Sequence, residues 1–227
     1  MIHQMSLLVQ GSPYEDSTSL PFRLRQKRFA NVALIIDGIL RERGACRILD
    51  VGGEELYWNI AKEYIAKRNI HITLVNLTAE PVSNAQFSSQ VGDATKLDHL
   101  SDMSFDLVHS NSVIEHVGGW DAMSCMAGHI KRLAPKYFVQ TPNFWFPFEP
   151  HVRLPFFHWL PEQARYRILM NVDTGFAKRR QTLDIAMRDV QGMALLDRRQ
   201  FAALFPDAEI KIERFFGLTK SLMAIRV

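Results

Sequence analysis

The chain has 227 residues, 47% of them hydrophobic and 22% charged, with a formal net charge of +3. That length and apolar content supply a full core and exclude a disordered chain. The small net charge, with acids interleaved among the basic clusters Arg23–Arg28, Lys178–Arg180 and Arg198–Arg199, excludes a dedicated nucleic-acid surface.

Two cysteines, Cys46 and Cys125, stand far apart without metal-ligand spacing. They read as buried thiols in a reducing compartment, and no metal is expected. The N-terminus lacks the pattern of a signal peptide, and the apolar run Phe29–Leu40 is short and interrupted by Asp37. A cytoplasmic location without stable membrane insertion follows.

Residues 1–21 are polar, with Gly11, Pro13 and several hydroxyl side chains, and are expected to form a flexible or loosely docked arm. Residues 22–43 read as a helix, with apolar positions at Phe29, Val32, Ala33, Ile36 and Leu40, ended by Gly44. The run Arg47–Val51 predicts a strand that ends at an acid, Asp50, and runs into Gly52 and Gly53. A helix is predicted from about Glu54 to Lys67 and a strand over His71–Asn76. Thr78–Pro81 reads as a short helical turn, Phe87–Val91 as a third strand closed by Gly92, Asp93 and Ala94, and Phe105–Ser110 as a fourth. A helix over Trp120–Leu133 and a strand over Lys136–Gln140 complete the alternation. Strands and helices alternating at this spacing imply a parallel sheet with crossover helices.

The pattern then breaks. Residues 142–192 form an insert whose first half is dense in proline and aromatic side chains and whose second half carries two helical stretches, Glu162–Asn171 and Arg180–Val190. A helix over Asp197–Phe205 follows, then strands over Glu209–Phe215 and Ser221–Val227. The connection between these last strands is too short for a parallel crossover, so they pair antiparallel. The expected fold is one α/β domain over residues 1–227, a Rossmann-like seven-stranded mixed sheet with an antiparallel last strand and a helical, aromatic insert after strand five.

Chemistry-bearing residues fall at the carboxyl ends of successive strands: Asp50 to Gly53, Asn76, Asp93 with Ala94, and Ser110 with Asn111. Ligands of open α/β sheets bind at those ends, and a glycine turn opening a helix suits a nucleotide-like group. Leu49-Asp50-Val51-Gly52, Gly92-Asp93-Ala94 and the run Phe105 to Val117 resemble the signatures of class I S-adenosylmethionine-dependent methyltransferases, and most closely the bacterial type 11 small-molecule group. The likeness covers about residues 45–141 and extends to the antiparallel final pair.

The resemblance implies S-adenosylmethionine as cofactor. Asp50 and the Gly52–Gly53 backbone would hold its aminoacyl end. Asn76 would meet the ribose, Asp93 and Ala94 the adenine, and the Ser110–Asn111 backbone would lie beside the sulfonium. Each has a plainer role open to it: Asp50 as a turn residue, Asp93 as a helix cap. Two departures stand out. Glu54 replaces the family's third glycine, and Asn76 replaces an acid that grips both ribose hydroxyls. Glu54 or Glu55 could compensate. The same departures argue against a nicotinamide dehydrogenase, which wants both features.

Beyond strand five, Glu149 and His151 would cover the mouth of the site. His151, oriented by Glu149, could take a hydroxyl proton, or both could bind backbone in a loop. His116 could face the cofactor or make a structural hydrogen bond. Trp145 and Phe148 are candidate platforms for the acceptor, although most aromatics of the insert pack onto the sheet. The expected activity is methyl transfer to a small-molecule or saccharide acceptor, with O-methylation preferred, by a monomer or homodimer. The rival is a non-catalytic cofactor-binding module that acts through a protein partner.

Overall fold

A computed structural model describes residues 18–174 and 178–227. Most of the expected N-terminal arm lies outside these residues. Its last part is the start of helix α1, Leu20–Arg43, where the Ser19 side chain accepts from the Phe22 N–H at 3.3 Å and a proline stands in the first turn. The helix stops at Gly44, which takes the left-handed conformation (φ 73) and returns its N–H to the Leu40 carbonyl at 2.9 Å.

Strand β1 is Cys46–Val51. The helix expected next is a 3-10 helix over Glu55–Ala61 followed by a five-residue helix α2, Lys62–Ala66. Buried Tyr57, Trp58, Ile60 and Ala61 hold this tight segment against the sheet. Strands β2 (Ile70–Asn76) and β3 (Phe87–Val91) follow. The helical turn expected at Thr78–Pro81 does not form, because that stretch is a bend and open loop.

Then come β4 (Leu107–Asn111), α3 (Trp120–Leu133) and β5 (Lys136–Pro142). The insert holds α4 (Glu162–Asn171) and α5 (Leu183–Gln191). Helix α6 (Arg198–Leu204) opens on a capping box between Asp197 and Gln200. Strands β6 (Glu209–Phe215) and β7 (Leu218–Arg226) close the chain as a hairpin through Phe216 and Gly217.

The strands form one seven-stranded sheet ordered β3-β2-β1-β4-β5-β7-β6, with β7 antiparallel to both neighbours. Side chains alternate across it with period two. Ile48, Ile72, Leu74 and Phe138 pack under α1 and the 3-10 segment with Phe29, Val32, Ile36 and Trp58. Leu49, Val51, Val108 and Val139 pack under α3 and α6 with Met126, Ile130, Phe201 and Leu204. Each such fully buried side chain contributes about 1.5–3 kcal/mol. The insert has its own small core, Val152, Phe157, Leu169, Ala186 and Val190. Among the described residues no helix is long and apolar enough to cross a membrane.

Candidate active site

The glycine turn is built as expected, but its acid faces the other way. In β1 the period-two rule puts Asp50 on the same face as Ile48, under α1. Its carboxylate is buried, accepts the Trp58 indole N–H at 2.8 Å and meets His109 Nδ1 at 2.6 Å. Asp50 and His109 are register partners in the parallel β1–β4 ladder. The ring of His109 is stacked on Phe138, and its Nε2 lies 3.3 Å from the Tyr57 hydroxyl. Both carboxylate oxygens of Asp50, which the resemblance sets against a cofactor ammonium, are engaged by Trp58 and His109.

Both glycines are required where they stand. A Cβ on Gly53 would come within 1.8 Å of Asp50 Oδ2. Gly52 has φ +73, and a Cβ there would meet Val113 Cγ2 at 2.5 Å.

Asn76, at the end of β2, donates its side-chain N–H to the Gly53 carbonyl at 2.7 Å and so holds the turn. Of the two acids that follow the turn, Glu55 is bonded to the backbone N–H and hydroxyl of Ser83, at 2.7 and 2.8 Å. Glu54 projects from the surface, yet desolvation, then the charges of Glu80 and Asp50, raise its carboxyl above the usual range. The charge of Glu80 is thus felt at Glu54, which follows the turn that Asn76 holds.

Asp93 uses Oδ1 to accept from the Thr95 N–H (2.9 Å) and hydroxyl (2.7 Å), which lowers its pKa. Its other oxygen lies 3.9 Å from Lys96 Nζ, and Ala94 continues the loop. Ser110 is buried with its hydroxyl on the Val51 carbonyl, so only its backbone borders the site. The Asn111 side chain is held from outside the motif. Arg28 of α1 donates to Asn111 Oδ1 (2.7 Å), to Gln140 Oε1 (2.8 Å) and to the Glu213 carboxylate (3.0 Å). Those contacts tie β4, β5 and β6 together at their site-facing ends, and no sequence motif announced them.

The loop after β4 and the start of the insert converge on a second group. Glu115 is fully buried; Oε2 accepts from Thr141 Oγ1 at 2.9 Å, while Oε1 is buried without a hydrogen-bond partner. Burial, outweighing the Thr141 bond and the His151 charge, pushes its carboxyl up to about 7. His116 and His151 meet edge to face with Nε2 atoms 3.1 Å apart. His116 Nδ1 faces the Gly192 carbonyl at 3.3 Å, and His151 Nδ1 faces Glu149 Oε1 at 2.6 Å. Buried Glu149 also accepts the Val152 N–H with its other oxygen.

Burial and then His151 press the His116 imidazole down to about 4. For His151, burial works downward, but the Glu149 hydrogen bond and the charges of Glu149 and Glu115 lift it above its ordinary value. Glu149 thus contacts the His151 ring at Nδ1, and His116 lies against the same ring at Nε2.

Glu149 also lines a cavity of about 410 Å³ in the insert, with Phe144, Phe157, His158, Glu162, Arg165 and residues 190, 191 and 193–195. His158 Nδ1 and Arg165 Nε are buried without partners in or beside its wall. Trp145 and Phe148 lie outside the lining and are 63% and 42% exposed. Trp145 instead packs against Phe144 and Trp159.

This sheet order is found in known proteins. The family model described as a methyltransferase domain matches residues 49–135. Residues 49–135 of the chain are thus similar to a methyltransferase domain. An O-methyltransferase family protein from Burkholderia thailandensis shares the fold, with 14% identity and a TM-score of 0.50 over 90% of this chain and 57% of its own. Further matches are a magnesium protoporphyrin IX methyltransferase from Synechocystis (12% identity, TM-score 0.49, 95% of this chain and 91% of its own) and a Burkholderia thailandensis 1,6-didemethyltoxoflavin N1-methyltransferase (13%, 0.48, 96% and 92%). Both of those structures contain S-adenosylhomocysteine. No curated protein matches the sequence.

The likeness to a methyltransferase domain implies S-adenosylmethionine as cofactor. The donor set suits that cofactor: a glycine turn in which a Cβ has no room, the acid Glu54 that follows it, and an Asp93 oxygen left after Thr95 is satisfied.

Proposed function

We propose that this methyltransferase methylates an oxygen of a small-molecule or saccharide acceptor held in the insert cavity. The observation that carries the reading is the cavity itself. It has the volume of a small-ligand site, and one wall is Glu149, which belongs to the Glu115–His116–His151 cluster. In this reading the Gly52–Gly53 backbone and Asp93 position the cofactor and Glu54 with Glu80 accept from its ribose hydroxyls. The bound cofactor supplies an electrophilic methyl group on a sulfonium.

Residues of the chain then have three tasks. Phe144 and Phe157 exclude water from the acceptor, which sharpens orientation and desolvation, the main contributors to methyl transfer. Arg165 and His158 offer their unsatisfied nitrogens to its polar groups. The cluster around His151 handles the acceptor's proton, because a hydroxyl is a poor nucleophile until that proton is removed.

Calorimetry with S-adenosylhomocysteine, followed by a methyl-transfer screen over small alcohols, phenols and sugars, tests this. The expected result is micromolar cofactor binding, about −8 kcal/mol, and turnover confined to hydroxyl acceptors. Transfer only to amines or thiols would refute the oxygen assignment, and no binding to folded protein would refute the cofactor site.

A further inference from the structure

Hydrogen-bond bookkeeping leaves the two imidazoles of the cluster short of a cation. His116 Nδ1 faces a backbone carbonyl and His151 Nδ1 faces a carboxylate, and both partners only accept. Both Nδ1 atoms therefore carry the hydrogen. The two Nε2 atoms, 3.1 Å apart, point bare lone pairs at each other. A proton on one ring would settle that pair, but it does nothing for Glu115 Oε1, a buried carboxylate oxygen with no donor. One ligand atom from each of Glu115, His116 and His151 lies within 4.8 Å of the other two. One positive ion among them would satisfy all three.

From this geometry we infer that Glu115, His116 and His151 form a binding site for one divalent transition-metal ion. Two imidazole nitrogens on a tetrahedral zinc ion, with bonds of about 2.0–2.1 Å, stand roughly 3.3 Å apart, close to the spacing observed. The surroundings are those of metal-ligating histidines: each Nδ1–H is held by an oxygen, which fixes the tautomer and aims Nε2 inward. Two imidazoles with one carboxylate favour zinc, iron or cobalt over magnesium or calcium, which prefer oxygen ligands. Three protein ligands leave one coordination position free, the mark of a site that acts on a ligand.

Only the ion's task rests on the methyl-transfer reading. An acceptor hydroxyl bound at the free position would lose its proton to solvent more readily. Its oxygen would then form the new bond to carbon as the carbon–sulfur bond breaks, and the thioether would leave with that electron pair.

The test uses the full chain, free of any affinity tag, stripped of metal and titrated with zinc by calorimetry. Cobalt serves as a coloured probe. One ion per chain is expected, with visible cobalt bands of a four- or five-coordinate site and an absorption-edge signal showing two imidazole scatterers. Glu149→Gln should weaken binding about 10–100-fold by loosening the His151 ring, and the double variant His116→Ala/His151→Ala should abolish it.

Absence of stoichiometric binding to the folded wild-type chain would overturn the site without reference to any variant. So would undiminished binding in the double variant, or a cobalt spectrum lacking imidazole ligation. Homocysteine-cofactor binding, measured alongside, separates the two readings. Metal without cofactor binding leaves the ion site and removes methyl transfer. Cofactor without metal does the reverse.

Discussion

The two ends of the site differ in how their polar groups are used. Along β1 and β2 the residues that look like ligand contacts are largely spent on the protein. Asp50 is bonded to Trp58 and His109, Asn76 to the Gly53 carbonyl and Glu55 to Ser83. Beyond β4 and β5 the chain lacks periodicity, yet buried acceptors are left over: Glu115 Oε1, the two facing Nε2 atoms and His158 Nδ1. The first region is a scaffold that presents backbone to a ligand. The second presents side chains, as the proposed acceptor chemistry requires.

Removing what makes the scaffold rigid should have the largest effect. Gly53→Ala would drive a methyl group into Asp50, displacing a carboxylate on which Trp58 and His109 depend. A loss of about 3 kcal/mol or more is expected. At about 2–4 °C per kcal/mol for a chain of this size, the melting temperature should fall by about 10 °C. A stable, cofactor-binding Gly53→Ala protein would mean that Asp50 is free to move.

Arg28→Met should cost a comparable amount, about 3 kcal/mol, by taking the Arg28 donor from half-buried Glu213 and from two amide oxygens. The same ion pair sets an acid limit. Burial works to raise the Glu213 carboxyl, but Arg28, Ser221 and Lys220 outweigh it and hold its pKa below 4.5. A carboxyl lowered on folding stabilises above its unfolded pKa, and that contribution disappears as pH falls through the folded value. Glu213→Gln should therefore flatten the melting-temperature profile below about pH 4.5, and acid melts of the two proteins check it.

Asp50→Asn weakens the interior without touching the ligand face. We expect about 2 kcal/mol of lost stability from the disturbed Trp58–Asp50–His109 chain and less than a tenfold change in S-adenosylhomocysteine affinity. A hundredfold affinity loss at unchanged stability would place Asp50 on the cofactor after all.

The smallest effect is expected at Asn76→Asp. The variant loses the donor to the Gly53 carbonyl and adds a third charge beside Glu54 and Glu80. Cofactor binding should loosen about fivefold, near 1 kcal/mol. Tighter binding would show that the carboxylates of Glu54 and Glu80 do not serve the ribose.

What the sequence by itself determined is what repeats with a short period or sits in a short motif. Apolar alternation fixed the strands and the order of helices, and the brief link through Phe216 and Gly217 required β7 to run antiparallel. The four strand ends and the methyltransferase motifs were legible because each lies within a few consecutive residues. Glu149 beside His151 was legible for the same reason.

Tertiary structure alone decided the rest. Asp50 and His109 are 59 residues apart and meet because β1 and β4 are neighbours in register. Their common inward face follows from the strand period once that register is known, so the signal was present but needed the pairing to be read. Arg28 reaches Glu213 across 185 residues, and His116 reaches His151 across 35. The 3-10 segment after the glycine turn reflects Tyr57 and Trp58 being drawn under α1, a packing demand that local helix preference does not encode. Whether a polar side chain is free or spent depends on where the chain brings its partners, and that is settled only when distant strands and loops are assembled around one core.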